Sequence, residues 1–531
     1  MIERSFSFLS VHPRLRALVG SMLLALLGGY LIFNRPFAQL GLPPLYIGEM
    51  ILALCILTSL ERIPSALIQP LRRSWTFRLI ALFMSYCLLR GVIDFFSSGF
   101  WALRDCVIGG YAIFAFIAPA VLAARDPVVD SADGREAIDE LPSTLTRLLL
   151  PVTLAAAMWA ASVHYGWLVN EWTETKVDFI ALAATTSAWV WLLAALKMSS
   201  RPAAAPGERQ TAWLSSERGI ACLAAAALAL LCALLVRQLP TRAMYLTLGP
   251  LALLGFAVWA CTRARFTFFA AAAGLAIVAC SAIVLPRIAG TFSRLSGEYA
   301  LSQNLERSLA AIELSTAGET YTKIQLKAGT ASGDAKAKKE RIAAIFSPDE
   351  KFETSEGKLA AHAIQWRAIF WMRCAHYTLQ RAPLLGVGFG KNLTNLLRDT
   401  PAWPMYVDSM RVDPPNRSPH SVHVTLLTRL GIPGLLLWLA ILALVLYDGL
   451  RACWSQLRRS AAHGDGARAL ARSALHRARF FDTLTVLGVW VIFIWAASFG
   501  VILEGPMGGI WFWSLTGVLA WQALALQAKN D

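Results

Sequence analysis

Long apolar runs, each of the roughly 20 residues that a bilayer-crossing helix needs, follow one another along most of this chain with short polar breaks between them. Twelve such runs are readable, near 16–34, 44–61, 77–94, 103–124, 143–163, 178–197, 217–236, 243–261, 267–285, 421–448, 482–503 and 507–526. The expected fold is an all-α polytopic membrane protein. One interval breaks the rhythm. Residues 286–420 are long and mostly polar, and they separate a nine-span region, 1–285, from a three-span region, 421–531. Within the interval, 301–361 is charged and rich in Ala, Ser and Thr, which reads as a solvated cover with no assignable chemistry. From Ala361 the pattern becomes that of an amphipathic helix. Ile364, Ile369, Trp371, Met372, Cys374, Ala375 and Leu379 form its apolar side, with Arg367, Arg373 and Arg381 on the polar side. Such a helix is expected on or near the membrane surface, packed on the spans.

Composition agrees with the pattern. A chain that is 56% hydrophobic, with 19 Trp and a mean hydropathy of +0.52, is not an ordinary soluble domain. The net charge of +15 matters less than its placement. If the N-terminus starts inside, the alternate breaks gather the cations. They hold Arg4, Arg14 and Arg16, then Arg62, Arg72, Arg73 and Arg78, then Arg125 and Arg135, Arg201 and Arg209, and Arg263 and Arg265. The richest break holds Arg451, Arg458, Arg459, Arg468, Arg472, Arg477 and Arg479. The opposite breaks are poor in cations, and the one at 164–177 carries Glu171 and Glu174. This is the positive-inside pattern, so both termini are expected in the cytoplasm and 286–420 outside. The breaks at 125–142 and 198–216 read as polar inside linkers. No small-residue cleavage site follows the first span, so it is expected to stay as a span. Membrane lipids are the expected surroundings, and no nucleic-acid partner is expected. The nine cysteines show no CxxC or Cys/His metal spacing, and only Cys374 falls in the long outer interval.

Cations and histidines are expensive where a water-facing loop re-enters a membrane, so their presence there suggests a site for an anionic, lipid-attached substrate. Each candidate has a plainer reading beside the functional one. Arg90 and Asp94, four apart, share a helix face, and Arg104 and Asp105 are adjacent; these pairs either neutralise one another or offer an arginine to phosphate. Glu49, one turn into the second span, is a functional candidate or the partner of a neighbouring arginine. Arg242, at the outer start of a span, either snorkels to the headgroups or serves a site. Arg367 either faces solvent or grips a pyrophosphate through its planar fork. The Gly-rich turn at Gly386, Gly388 and Gly390 follows a helix and Pro383 and not a strand, which rejects a dinucleotide fingerprint. It either ends the helix with tight backbone packing or forms a weak phosphate nest. His420 stands at the start of a span, where it caps the helix or accepts a proton from a hydroxyl. His423 lies nearly one turn on, and no acidic residue accompanies the pair at metal-ligand spacing.

Several of these residues together resemble the O-antigen ligase and polymerase superfamily. The resemblance rests on R-x-x-x-W at Arg367 and Trp371, followed by P-L-x-G-x-G-x-G at Pro383, Leu384, Gly386, Gly388 and Gly390. It continues with His420 ahead of Leu430, Gly431 and Gly434, and Thr241–Ala243 is similar to the family's S-R-G/A. Ser421 departs from the Asn that commonly follows the histidine. The resemblance implies a metal-independent, inverting glycosyl transfer at the periplasmic face of the bacterial inner membrane, with no cofactor. The implied donor is a glycan on undecaprenyl pyrophosphate, and the acceptor is a sugar hydroxyl of lipid A–core, as in lipopolysaccharide assembly, or of another glycan. By the same resemblance, Arg242 and Arg367 hold the pyrophosphate and His420 positions or deprotonates the acceptor hydroxyl. Arg90, Arg104, Arg373, Arg381, His423 and Glu49 are the further substrate-binding candidates. The outer hairpin Asn34–Pro44 has no carboxylate, which argues against a metal-dependent lipid-linked glycosyltransferase.

Three rivals stand beside this expectation, one of them a non-catalytic scaffold in an envelope-polysaccharide complex. A polymerase would join the growing glycan to another lipid-linked repeat unit. A transporter for lipid-linked glycans would show internal repeats and polar groups near the membrane midplane, whereas the candidates here gather at the outer surface.

Overall fold

The computed structural model describes residues 13–38, 40–42, 45–59, 67–123, 132–164, 177–199, 217–238, 370–393, 396, 418–461 and 467–527. Apart from one two-residue ladder, in which Gly41–Leu42 pairs antiparallel with Leu45–Tyr46, the regular structure among them is helical. Among the described residues, eight helices are long and apolar enough to cross a membrane: Arg14–Phe33, Trp75–Ser98, Phe100–Leu122, Ile138–Val163, Phe179–Met198, Val422–Ala461, Arg472–Phe499 and Pro506–Gln527. The protein is therefore a multi-pass helical membrane protein. Two more of the expected spans are helices with shorter apolar stretches, Ile47–Ser59 and Ile220–Leu234. The expected spans 243–261 and 267–285, the segment 301–361, Arg242 and Arg367 lie outside the described residues.

Element boundaries differ from the pattern-based ones wherever a helix outlasts its apolar run. The expected break between spans three and four is a single residue, Gly99, at φ 59° between helices ending at Ser98 and starting at Phe100. The inside linker 125–142 is helical from Ala132, because Ile138, Leu141 and Leu145 repeat at helical spacing and are buried. The basic break after 448 is also mostly helix, continuing to Ala461 and resuming at Ala467. Its two arms are tied by Ser473 Oγ donating to the Ser460 carbonyl at 2.7 Å and by His476 Nδ1 against Gln456 Oε1 at 2.8 Å.

The chain divides into two units. The first comprises Met1–Leu88, Val107–Val284 and Leu437–Asp531. Its centre is the helix Pro506–Gln527, every residue of which from Gly508 to Leu526 is buried. A helix apolar on all sides belongs in the middle of a bundle, and its tryptophans need hydrogen-bond partners there. Trp511 Nε1 donates to the Leu27 carbonyl at 2.7 Å and Trp513 Nε1 to the Ile108 carbonyl at 3.3 Å. Thr516 Oγ1 accepts from Trp490 Nε1 at 2.8 Å. Two buried carboxylates of the first unit are matched: Asp482 accepts from Lys197 at 2.5 Å and from Ser143 at 2.6 Å, and Asp139 pairs with Arg479 at 3.3 Å.

The second unit comprises Leu89–Cys106 and Leu285–Leu436. Its described parts are a helical hairpin turning at Gly99, the helix 370–381 with the loop after it, and the first turns of the helix that starts at Val422. Gly91 lets the hairpin arms close, since a Cβ there would lie 2.7 Å from Cys106 Sγ.

Backbone-to-backbone contact at Gly517 makes a direct test of the first unit. A Cβ at that position would lie 2.1 Å from the Ala115 carbonyl oxygen. Gly517→Ala is expected to destabilise the detergent-solubilised protein by about 1–3 kcal/mol, as overpacking does, read as a lower melting temperature. Gly110→Ala, where a Cβ meets nothing within 4 Å, is expected to leave it unchanged or raise it.

Candidate functional site

The helix Val422–Ala461 contains its own interruption. Gly431 has φ 74° and ψ −169°, so the ladder of backbone bonds is broken there. Two residues on, Pro433 has no N–H, which leaves the Arg429 carbonyl without its usual helical donor. In an apolar span such groups need protein partners. They find them in the Gly-rich loop. Val387 N–H donates to the Thr428 carbonyl at 2.7 Å, and Gly388 N–H to the Arg429 carbonyl at 3.1 Å. Ile432 N–H donates to the Pro383 carbonyl at 2.8 Å. The glycines are required by this approach: a Cβ on Gly386 would stand 2.5 Å from the Arg429 carbonyl carbon, and one on Gly431 2.5 Å from the Pro383 oxygen. Both have positive φ, which only glycine adopts without strain.

Four charges hold the loop in place. Arg429 is 1% exposed, and its guanidinium donates to the Gly388 carbonyl at 2.9 Å and the Lys391 carbonyl at 2.8 Å while pairing with Asp105 at 2.9 Å. Asp105 also accepts from Gly390 N–H at 2.9 Å. Asp94 pairs with Arg90 at 2.9 Å and accepts from Phe389 N–H at 2.7 Å. Two arginines and two aspartates cancel formally. The turn's N–H groups at 387–390 are all engaged by protein oxygens. The turn is thus a backbone joint, the packing alternative of the two that its glycines allowed. Arg90 pairs with Asp94, as their spacing allowed, but Asp105 pairs with Arg429 and not with its neighbour Arg104. The Arg104 guanidinium lies over the Trp101 ring, 5.1 Å from its centroid.

Helix 370–381 buries a face that only partly matches the expected one, with Cys374 common to both. Phe370, Arg373, Cys374 and Thr378 are its buried residues, and Leu379 is exposed. Arg373, expected on the polar side, is therefore inside the second unit at 8% exposure. Positions 370, 374 and 378 fall four apart on one stripe, and 373 lies beside it. Arg381, at the helix end, is exposed.

His420 lies outside the helix that follows it. Its backbone is left-handed at φ 59°, which His420 shares among the described non-glycine residues only with Asn34. That conformation costs an ordinary residue roughly 1–2 kcal/mol and marks sites where the surroundings impose a geometry. Ser421, whose carbonyl accepts from Thr425 N–H at 2.8 Å, opens the helix instead. His420 and His423 therefore do not share a helix face in the way their spacing suggested. Both are half-buried. Trp371 Nε1 donates to the Pro419 carbonyl, and Ser418 Oγ accepts from His420 N–H at 3.1 Å.

Arg90, Arg104, Arg373, Arg381, His420 and His423 all belong to the second unit. Glu49 belongs to the first unit, in the first turn of Ile47–Ser59. Its Oε2 is buried and has no hydrogen-bond partner among the described residues. Arg429 went unremarked in the sequence, although a lone arginine inside an apolar run was the available signal. Among the described residues, no three His, Cys, Asp or Glu side chains converge as a metal would require.

Residues 214–439 match the O-antigen ligase family. The matched segment takes in Arg242, Arg367, the helix 370–381, the Gly-rich loop, His420 and Arg429. No curated protein matches the chain.

Within the matched segment, Cys374 tests the burial of the 370–381 stripe. Burial pushes its thiol up to about 12, against the opposing effects of the Thr428 side chain and the Arg429 charge. The thiol loses its proton only near that pH, so on the order of one molecule in ten thousand carries the thiolate at pH 8. Peptide mapping after iodoacetamide treatment at pH 8 is expected to find Cys374 unmodified in the folded protein and alkylated after denaturation.

Proposed function

We propose that this protein is a glycosyltransferase that moves a glycan from undecaprenyl pyrophosphate to a sugar hydroxyl of an acceptor such as lipid A–core, at the periplasmic face of the inner membrane. The family match over 214–439 supports the reaction class. The observation that carries the site is His420, a half-buried imidazole in a left-handed backbone at the mouth of an apolar helix.

The chemistry follows from these groups. The acceptor oxygen attacks the anomeric carbon of the donor as the bond from that carbon to the pyrophosphate oxygen breaks. Direct displacement inverts the anomeric centre. His420, as neutral imidazole, takes the proton from the attacking hydroxyl. Negative charge grows on the departing pyrophosphate, and Arg242 and Arg367 are the guanidinium groups proposed to receive it. Guanidinium groups stay charged at any working pH, so the leaving group is neutralised without a metal ion. Arg373 and Arg381 add cations on the helix that follows Arg367. Arg90 reaches a phosphate only by giving up Asp94.

The test uses purified protein, an undecaprenyl-pyrophosphate glycan, and EDTA throughout. Wild type is expected to form product, and His420→Ala to lose about two to four orders of magnitude in kcat. Arg367→Ala is expected to abolish transfer while leaving membrane insertion intact. Product that needs added lipid A–core identifies a ligase, and extension of the lipid-linked glycan without it identifies a polymerase. Unchanged turnover in both variants would refute the assigned roles.

A further inference from the structure

The peptide unit joining Pro419 to His420 is gripped at both ends by side chains with no role in the proposed chemistry. Its carbonyl accepts from the Trp371 indole, and its N–H donates to the Ser418 hydroxyl. Fixing both polar groups fixes the plane of that peptide, and with it one of the torsions that aim the next side chain. The residue so aimed is His420, in the left-handed region where it would not remain on its own.

Trp371 is itself held. It lies at the described start of helix 370–381, whose far end passes through Ala382 and Gly386 into the loop bonded to Thr428 and Arg429. The helix is thus fastened to the 418–432 segment at two places. The upper fastening is Trp371 with Pro419, and the lower is the loop with Arg429 and Asp105. Between them Phe370, Cys374 and Thr378 are fully buried. A frame closed at both ends resists the small rotations that would let His420 relax to an ordinary backbone.

We propose that Trp371 and Ser418 are positioning residues that clamp the Pro419–His420 peptide and hold the His420 imidazole in its reactive orientation. This rests on the transferase reading for its kinetic consequence, although the clamp itself is a structural statement. Positioning acts on the reacting geometry and not on donor affinity, so it should appear in kcat and leave KM largely alone.

The experiment compares wild type with Trp371→Phe, Ser418→Ala and Ser418→Thr in the assay described above, alongside the melting temperature of each in detergent. Trp371→Phe keeps the ring and removes the N–H donor, and Ser418→Thr keeps the hydroxyl. Trp371→Phe and Ser418→Ala are each expected to lower kcat by about tenfold to a hundredfold with KM within a factor of about two. Ser418→Thr is expected to recover most of the loss. A second readout needs no turnover: the rate at which diethyl pyrocarbonate modifies His420, followed by mass spectrometry with His476 as internal reference. That rate is expected to change by about threefold or more in Trp371→Phe and Ser418→Ala, as the strained backbone relaxes, and to stay at the wild-type value in Ser418→Thr. Wild-type kcat and wild-type modification rates in both variants would overturn the clamp. So would losses that track a fall in melting temperature and are not recovered by Ser418→Thr. If wild type itself transfers no glycan, the transferase reading fails, and the clamp is decided by the modification rates alone.

Discussion

A helix broken inside an apolar span exposes backbone groups that lipid cannot satisfy, and the second unit is arranged around that requirement. Gly431 interrupts the helix and Pro433 withholds an N–H, so Thr428, Arg429 and Ile432 each need a partner from elsewhere. The loop 383–391 supplies all three. It then has unsatisfied groups of its own, and Asp94, Asp105 and Arg429 meet them. Burying Asp94 and Arg429, with Arg90 and Asp105 half-buried beside them, is tolerable only because each faces an opposite charge or an aligned peptide group. Removing one would leave another buried without its counter-charge. The arrangement is therefore cooperative, and the positive-φ glycines are its geometric condition.

The candidate chemistry hangs from this joint. Because the loop is pinned, helix 370–381 is pinned, and because that helix carries Trp371, the peptide before His420 is pinned as well. The same connectivity separates two kinds of arginine. Arg90 and Arg429 are engaged in neutral pairs and serve the scaffold. The cations proposed to receive pyrophosphate charge, Arg242 and Arg367, are others. A site for a polyanion needs surplus positive charge, and a joint inside an apolar region needs none; the protein uses the same residue type for both by changing its partner.

Much of the architecture was legible in the sequence. Apolar runs of bilayer length located the eight long helices, because lipid leaves a spanning segment no alternative to helix. The same runs misplaced several ends, since helices such as Val422–Ala461 continue past their apolar run on their own backbone hydrogen bonds. At the site, the Gly-rich turn was correctly separated from a dinucleotide motif by what precedes it. Arg373 was assigned to the wrong face because its charge was read as exposure. Asp105 was read beside Arg104, its neighbour in sequence, when its partner is Arg429, more than three hundred positions away.

What the sequence determined by itself is the class of protein: many apolar helices, a biased distribution of cations, and a short set of motif residues gathered late in the chain. These follow from the bilayer as solvent and from local periodicity, both of which act on neighbouring residues. Only the tertiary structure decided which charge meets which, that the Gly-rich turn joins a broken helix, and that His420 is left-handed. Those outcomes depend on contacts between distant segments, and a buried charge or an orphaned carbonyl takes whichever partner the fold delivers.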